Sequence, residues 1–272
     1  MIAFDTDVQA LMRDVAARIV MPRFRQLDAA EIEEKAPDEL VTIADRESEI
    51  ALAEGLLRLL PEARVIGEEA CSADPTLLDN IGQGTAWIVD PIDGTANFAA
   101  GETPFGIMIA LVADGVSEAG WLFDPVANRL CSAGRGEGAF VNGERVIART
   151  SGATPPVAGL STRYLPSELR EEVERRAEGK LHCVGIPRCA AEQYPRIMLG
   201  QNDLALFWRT HVWDHAPGAL ILAESGGKVA RFDGTPYSVA QSGKGLLAAA
   251  TPEMWDIAAS ILLGSADSVH TE

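Results

Sequence analysis

Cysteine is scarce in this chain. Its four residues, Cys71, Cys131, Cys183 and Cys189, form no CxxC pair and have no histidine at ligand spacing. That excludes a disulfide framework and a thiolate zinc site, and reduced thiols make the cytoplasm the expected compartment. Positive charge is short as well: 23 Lys and Arg stand against 40 Asp and Glu, a net charge of −17. A nucleic-acid polymer is therefore not the expected partner, because its phosphates are held by Lys and Arg. A small phosphorylated ligand stays compatible if metal cations stand between it and the acids, and the acidity would equally serve solubility. No apolar run reaches membrane-spanning length, so no membrane partner is expected. The opening MIAFDTDVQALMRD carries two early aspartates where a signal peptide has a basic region. There is no GxxxxGK[ST] loop for a nucleoside triphosphate and no GxSxG elbow.

What is present is an ordinary globular composition, 47% hydrophobic over 272 residues, enough to bury a core without staples. Val8, Leu11, Met12, Val15 and Ile19 predict a helix over 6–22, with Asp5 or Thr6 as its cap. Ile50, Ala53, Leu56, Leu57 and Leu60 predict a second over 45–60, and the intervening EEKAPDELVTIAD reads as a polar loop. Short β-rich runs from ARVIGEE to GAFVNGERV follow, divided by Gly, Asp-Gly and Asp-Pro turns, and predict a largely antiparallel sheet. ARTSGATPPVAG, around 148–160, is the candidate boundary between an N-terminal half, 1–150, and a C-terminal half, 151–272. Beyond it helices near 166–178, 189–199, 215–225 and 252–263 alternate with strands near 181–185, 203–208, 228–232 and 245–250. That alternation predicts a second sheet between helices, hence an α+β layered fold. The terminal GSADSVHTE is polar and expected to fray.

Three places set acids beside dry sequence: Glu68 and Glu69 after VIG, Asp90 and Asp93 in WIVDPIDGTANF, and Asp214 in VWDHAPGALILAESGG. Each alone has an ordinary explanation, since aspartates bond their own backbone at turns and cap helices. Together they would repel in a shared cleft unless a cation joined them. The donors are all oxygen, which favours Mg²⁺ or Mn²⁺. Pro91 stiffens the turn, the Ile92 carbonyl is a further oxygen donor, and Gly94 allows close backbone approach. Thr95 adds a hydroxyl able to orient water, and a helix opening at Gly94-Thr95-Ala96 would receive an anion. This chemistry points to phosphoryl transfer to water.

GEE at 67–69, WIVDPIDGTANF at 87–98 and WDHAPGALILAESGG at 213–227 resemble the paired signatures of the inositol monophosphatase family, in order and spacing along nearly the whole chain. The family belongs to the lithium-sensitive, magnesium-dependent sugar phosphatases. The resemblance implies an αβαβα sandwich, a homodimer and inhibition by Li⁺. It implies one Mg²⁺ on Glu68, Asp90 and the Ile92 carbonyl, a second on Asp90, Asp93 and Asp214, and a weaker third near Glu68. Asp45 and Thr95 would activate the attacking water, with Lys35 in a mobile loop over the site. The backbone of Gly94 and Thr95 would hold the phosphate of a small metabolite.

The chain departs from the family where substrates are selected. Arg188 and Cys189 replace the glycine and hydroxyl ahead of Ala190 and Ala191, and Phe207-Trp208-Arg209 stands where a glutamate usually precedes the WD. Arg188 and Arg209 could bind a second phosphate or carboxylate, or pair with Glu192 or another local acid. His215 and His211 could touch substrate or serve structure. Inositol phosphate, histidinol phosphate, fructose 1,6-bisphosphate and adenosine 3′,5′-bisphosphate all remain candidates. A non-catalytic regulatory protein that keeps the metal fold is the rival of another class.

Overall fold

The computed structural model describes residues 2–36 and 39–264; the tail expected to fray lies, after Gly264, outside the described residues. The first amphipathic run forms α1 (Asp5–Val15), which continues through a π-helical segment (Ala16–Val20) into α2 (Met21–Arg23). The expected Asp or Thr cap is not used. Phe4, at φ 60°, is the N-cap, while Asp5 accepts from Trp121 Nε1 at 2.8 Å and from Gln9 Nε2 at 2.9 Å. Satisfying a buried indole N–H outweighs a local cap at this position.

The segment read as a polar loop is a hairpin. β1 (Ile32–Ala36) pairs antiparallel with β2 (Glu39–Thr42). Charged side chains on the ribbon hide the apolar alternation that normally announces a strand. Thr42 and Asp45 then form a reciprocal capping box that starts α3 (Ile43–Leu59).

The larger sheet holds β3 (Arg64–Gly67), β4 (Thr85–Asp93), β5 (Gly106–Ala113), β6 (Val116–Asp124), β7 (Arg129–Gly134), β8 (Gly138–Val141) and β9 (Glu144–Val146), side by side in chain order. β3 and β4 are parallel, joined through α4 (Glu68–Ala73); the rest is an antiparallel meander, as its short turns require. The chain then runs through β10 (Val157–Leu160), α6 (Ser167–Ala177), β11 (His182–Val184), α7 (Ala190–Met198), β12 (Leu204–Phe207), α8 (Val212–Glu224), β13 (Lys228–Arg231), β14 (Leu246–Ala249) and α9 (Pro252–Leu262). A short α5 (Thr95–Ala99) follows β4. The smaller sheet has the order β11-β10-β12-β14-β13, parallel across the first three strands and antiparallel beyond.

Burial sets the stacking. α1 and α3 cover one face of the large sheet through Met12, Leu52, Leu56, Trp87 and Trp121. α7 and α8 fill the space between the sheets with Ile197, Leu220 and Leu222 against Met108, Leu122 and Ala248. α6 and α9 close the outer face of the small sheet through Val173, Leu204, Leu247 and Leu262. The result is the αβαβα sandwich. α8 lies across β4, β5 and β6, which carries its first turn toward the end of β4. Among the described residues no helix is long and apolar enough to cross a membrane.

Candidate active site

The dry run Trp87-Ile88-Val89 is central β4, and Asp90 and Asp93 are buried at its end. Three residues apart in a regular strand, they would face opposite sides of the sheet. The pairing with β5 prevents this: Asp90 lies opposite Met108 and Asp93 opposite Gly106, so the β4 side carries one residue more. This bulge turns both carboxylates to the same face. Asp90 Oδ1 also accepts from the Ile92 N–H at 3.1 Å, so the ordinary turn role of aspartate is present as well. Gly94 follows at φ 86°, and a Cβ there would stand 3.0 Å from the Pro104 carbonyl oxygen and 3.2 Å from Cys189 Cβ. Only glycine fits that turn.

Asp214 arrives in the first turn of α8, where the N-cap is His211 and makes no side-chain cap bond. Oxygens of Asp90, Asp93 and Asp214 lie within 4.8 Å of one another. Asp93 Oδ2 accepts from the Ala191 N–H at 2.6 Å, but among the described residues none of the three pairs with Lys or Arg. Their acidity shows the cost. Burial, then the charges of Glu68, Asp93 and Asp214, push Asp90 well above the usual carboxylate range. Burial and neighbouring Asp93 and Glu68 do the same to Asp214. Asp93 is raised by burial to about 6, with the N–H of Ala191 and the Cys189 thiol pulling the other way. Crowded, mutually repelling oxygen donors, Asp90 and Asp93 buried and Asp214 half-buried at the cavity, with no cation paired to them among the described residues, fit a hard divalent ion.

Asp45, in the first turn of α3, is buried and accepts from the Thr42 N–H at 2.8 Å and the Thr42 hydroxyl at 2.5 Å. Its other oxygen lies 3.2 Å from Thr95 Oγ1, which also reaches the Ile92 carbonyl at 2.9 Å. The hydroxyl has one proton for two acceptors. Burial raises Asp45 to about 7, against the hydrogen bonds of Thr42 and helped by the charges of Glu69 and Glu68. The structure therefore places side by side the two residues that the resemblance paired.

Glu68 and Glu69 open α4. Lys35, on β1 rather than in a loop, donates to Glu68 at 2.7 Å and to Glu69 at 2.8 Å. Burial disfavours its ammonium, but the two glutamates outweigh that and raise its pKa. Glu49, one turn beyond Asp45, accepts from the N–H groups of Glu69 at 2.7 Å and Ala70 at 2.8 Å. Gly67 leaves room for this carboxylate, since a Cβ would stand 2.3 Å from Glu49 Cδ and force it to move. The sequence reading missed Glu49, and it marked Glu69 as part of an acidic place without giving it a role. The signal for Glu49 was there: an acid four residues after Asp45, on the helix face that carries Leu52 and Leu56.

Lys35, Glu68, Asp90, Asp93, Thr95 and Asp214 open onto one cavity of about 550 Å³, and Asp45 is buried behind Thr95. Ala190 is buried at its edge, at the start of α7. Arg188 is exposed at φ 56° on the turn before it. Arg209 does not pair with Glu192; it binds Glu39 at 2.5 Å and lies 3.8 Å over the Tyr164 ring. Glu192 is held by Arg129 and Arg196. His215 is a structural group: Tyr194 Oη at 2.8 Å and the Arg209 carbonyl at 3.1 Å engage its ring nitrogens, and burial lowers its pKa to about 3. His211 stacks on Trp213 at 5.2 Å. Phe207 packs on Tyr194 and His215.

The model of the inositol monophosphatase family matches residues 4–262. The chain belongs to that family. A fructose-1,6-bisphosphatase/inositol-1-monophosphatase of Thermotoga maritima is 30% identical over 196 residues, 72% of this chain and 73% of the relative. A Nus factor SuhB of Escherichia coli is 28% identical over 229 residues, 80% of this chain and 82% of its own. The crystal structure of inositol monophosphatase-II from Staphylococcus aureus superposes with a TM-score of 0.79 at 25% identity, covering 97% of this chain and 94% of that one. Family membership accounts for the fold and for the order of the acidic motifs along it. It leaves open what the cavity accepts, a question for the residues on its lining, Arg188, Cys189, Phe207 and Arg209 among them.

Proposed function

We propose that this chain is a Mg²⁺-dependent phosphomonoesterase acting on a small phosphorylated polyol, sugar or related metabolite. The observation that carries the reading is the contact of Asp45 with Thr95 beside three converging carboxylates. A protein that only bound metal would not need that pair. Glu68, Asp90 and the Ile92 carbonyl would hold one ion, Asp90, Asp93 and Asp214 another, and Glu68 would help with a weaker third once Lys35 releases it. Mn²⁺ could substitute, and Li⁺ would inhibit. Bound ions would polarise the phosphoryl oxygens and acidify water.

The chain's own residues do the rest. The backbone of Gly94 and Thr95 receives the phosphate at the start of α5. The Thr95 hydroxyl, fixed against the Ile92 carbonyl, orients the attacking water, and Asp45 takes its proton as the water oxygen joins phosphorus. The P–O bond to the alcohol breaks on the far side, and the departing oxygen takes a proton from solvent. A base near pH 7 is suited to that task, since it is half ionised at neutrality and still basic enough to accept. Four free cysteines suit a cytoplasmic setting, and a homodimer is the expected assembly.

The test is phosphate release in Mg²⁺ from inositol 1-phosphate, fructose 1,6-bisphosphate and β-glycerophosphate, with and without chelator. Release that stops with chelator and in Asp93→Asn supports the reading. Wild-type release no greater than that of Asp93→Asn would overturn it. A second reading, a regulatory binding protein, then moves forward; the relatives named Nus factor SuhB favour it.

A further inference from the structure

Four cations line the cavity: Lys35, Arg163, Arg188 and Arg209. Three are engaged. Lys35 bridges Glu68 and Glu69, Arg209 binds Glu39 over Tyr164, and Arg163 lies 5.7 Å from the centre of the same Tyr164 ring. Arg188 has no ion pair or hydrogen bond among the described residues. In a chain with 40 acids and 23 bases, a cation left without a carboxylate beside an acid-rich site calls for a reason.

Its backbone supplies one. Arg188 sits at φ 56°, a left-handed conformation that a branched-chain or long side chain adopts only when its surroundings impose it. The surroundings do so here. The Pro187 carbonyl accepts from Asn97 Nδ2 at 3.0 Å, and the same amide reaches the Pro104 carbonyl at 2.7 Å. On the other side Cys189 Sγ reaches the Asp93 carbonyl at 3.7 Å and the Ala191 N–H donates to Asp93 Oδ2. The turn is thus bolted to α5 at one end and to Asp93, the last residue of β4, at the other, so Arg188 is carried at a fixed distance from Asp93.

The cavity wall agrees in chemistry. Away from the acids already described, it is made of neutral groups such as Ser161, Tyr164, Ile186, Gln193, Phe207 and Trp208. Gln193 is buried there with neither amide atom hydrogen-bonded. A buried amide without partners is costly, and its position on the cavity lining offers both a donor and an acceptor to a polar ligand. Phe207 gives the wall a neutral ring, where a carboxylate would repel a second negative charge.

We propose that the substrate carries a second anionic group, a phosphate or a carboxylate, and that Arg188 receives it while the reacting phosphate sits at the aspartate cluster. The proposal rests on the phosphomonoesterase reading and narrows its substrate class to doubly anionic esters. Arg209, paired and stacked, positions the cavity wall and does not serve as the receptor.

Affinity can be measured without turnover by calorimetric titration of the full chain carrying Asp45→Asn, in Mg²⁺. The ligands are matched pairs: fructose 6-phosphate with fructose 1,6-bisphosphate, and adenosine 5′-monophosphate with adenosine 3′,5′-bisphosphate. In at least one pair the doubly anionic member is expected to bind roughly 10- to 100-fold more tightly, the worth of one charge-assisted bidentate contact. Adding Arg188→Ala should erase that ratio, and Arg188→Lys should keep part of it. Equal affinities within both pairs overturn the proposal. So does an Arg188→Ala effect of the same size on both members, which would put the guanidinium on the reacting phosphate. Turnover by the wild-type chain separates the two levels: hydrolysis with no effect of Arg188 on the ratio removes this inference alone, whereas no hydrolysis removes the phosphatase reading.

Discussion

Replacing Asp93 by asparagine is expected to stabilise the metal-free protein and to leave it less stable than wild type in Mg²⁺. Burial lifts the Asp93 carboxyl from 3.8 to about 6, so keeping it ionised in the folded state at pH 7 costs about 3 kcal/mol. Asparagine removes the charge and still offers an oxygen to the Ala191 N–H. The rise to about 6 already includes the help that this bond gives the ionised form, so the net gain is about 3 kcal/mol. For a chain of this size that is roughly 6–12 °C in Tm. The sign with pH follows from the raised pKa. The penalty is full above the folded value and fades as pH falls through about 6 toward 4, so the advantage of the variant should shrink at pH 5. In Mg²⁺ at about 1,000 times its Kd the wild type gains about 4.1 kcal/mol, and a variant lacking one of the proposed ligands gains little. Thermal melts in chelator and in Mg²⁺, at pH 7 and pH 5, read all four arms. If the variant melts below wild type in chelator at pH 7, the buried aspartates are not a strained cation site and the electrostatic reasoning is wrong.

Asp45→Asn should lower kcat by roughly 10²- to 10⁴-fold while keeping the Mg²⁺-induced rise in Tm; loss of that rise would make Asp45 a metal ligand instead of a base. His215, lowered to about 3 by burial, contributes stability that is whole above its unfolded pKa near 6.5 and is lost as pH falls below it, about 2 kcal/mol by pH 5. Urea unfolding of His215→Gln at pH 7 and pH 5 should show a shallower acid loss than wild type, and an equal slope would count against a buried neutral imidazole. Lys35→Met leaves Glu68 and Glu69 without their cation, so the metal-free protein should melt lower and bind Mg²⁺ several-fold more tightly by calorimetry; weaker binding would mean that Lys35 helps hold the ion instead of competing with it.

Much of this molecule was legible where period and punctuation agree. From α6 onward the helices and strands fall within a few residues of their expected spans, most of them because the apolar run ends near Gly or Pro, whereas β10 lies inside the stretch read as the boundary between halves. The β1–β2 hairpin escaped notice because IEEKA has charges where a buried strand would have alternation, and its pairing is decided by backbone bonds with the neighbouring strand. The aspartates announced themselves through dry flanks, but their common face depends on the β4 bulge, and no residue type encodes a register shift. Pairing partners at long range were illegible for the same reason. Arg209 and Glu39 are 170 positions apart, and only the stacking of the layers brings them together. Glu192 was a reasonable partner by proximity in sequence, yet α7 turns it toward Arg129 on β7, in the large sheet.

The arrival of Asp214 on α8 has a consequence for when the site comes into being. Asp90 and Asp93 belong to a strand made early in the chain, whereas α8 is made after both parallel neighbours of the small sheet. A polypeptide emerging in order therefore holds an open pair of acids for most of its synthesis and completes the cluster only when α8 docks across β4, β5 and β6. Ion capture by all three carboxylates would then act as a late clamp between distant parts of the chain, favouring the docked state because the dispersed acids of the unfolded chain hold the ion far more weakly. Full metal affinity would report that the last third of the chain has found its place.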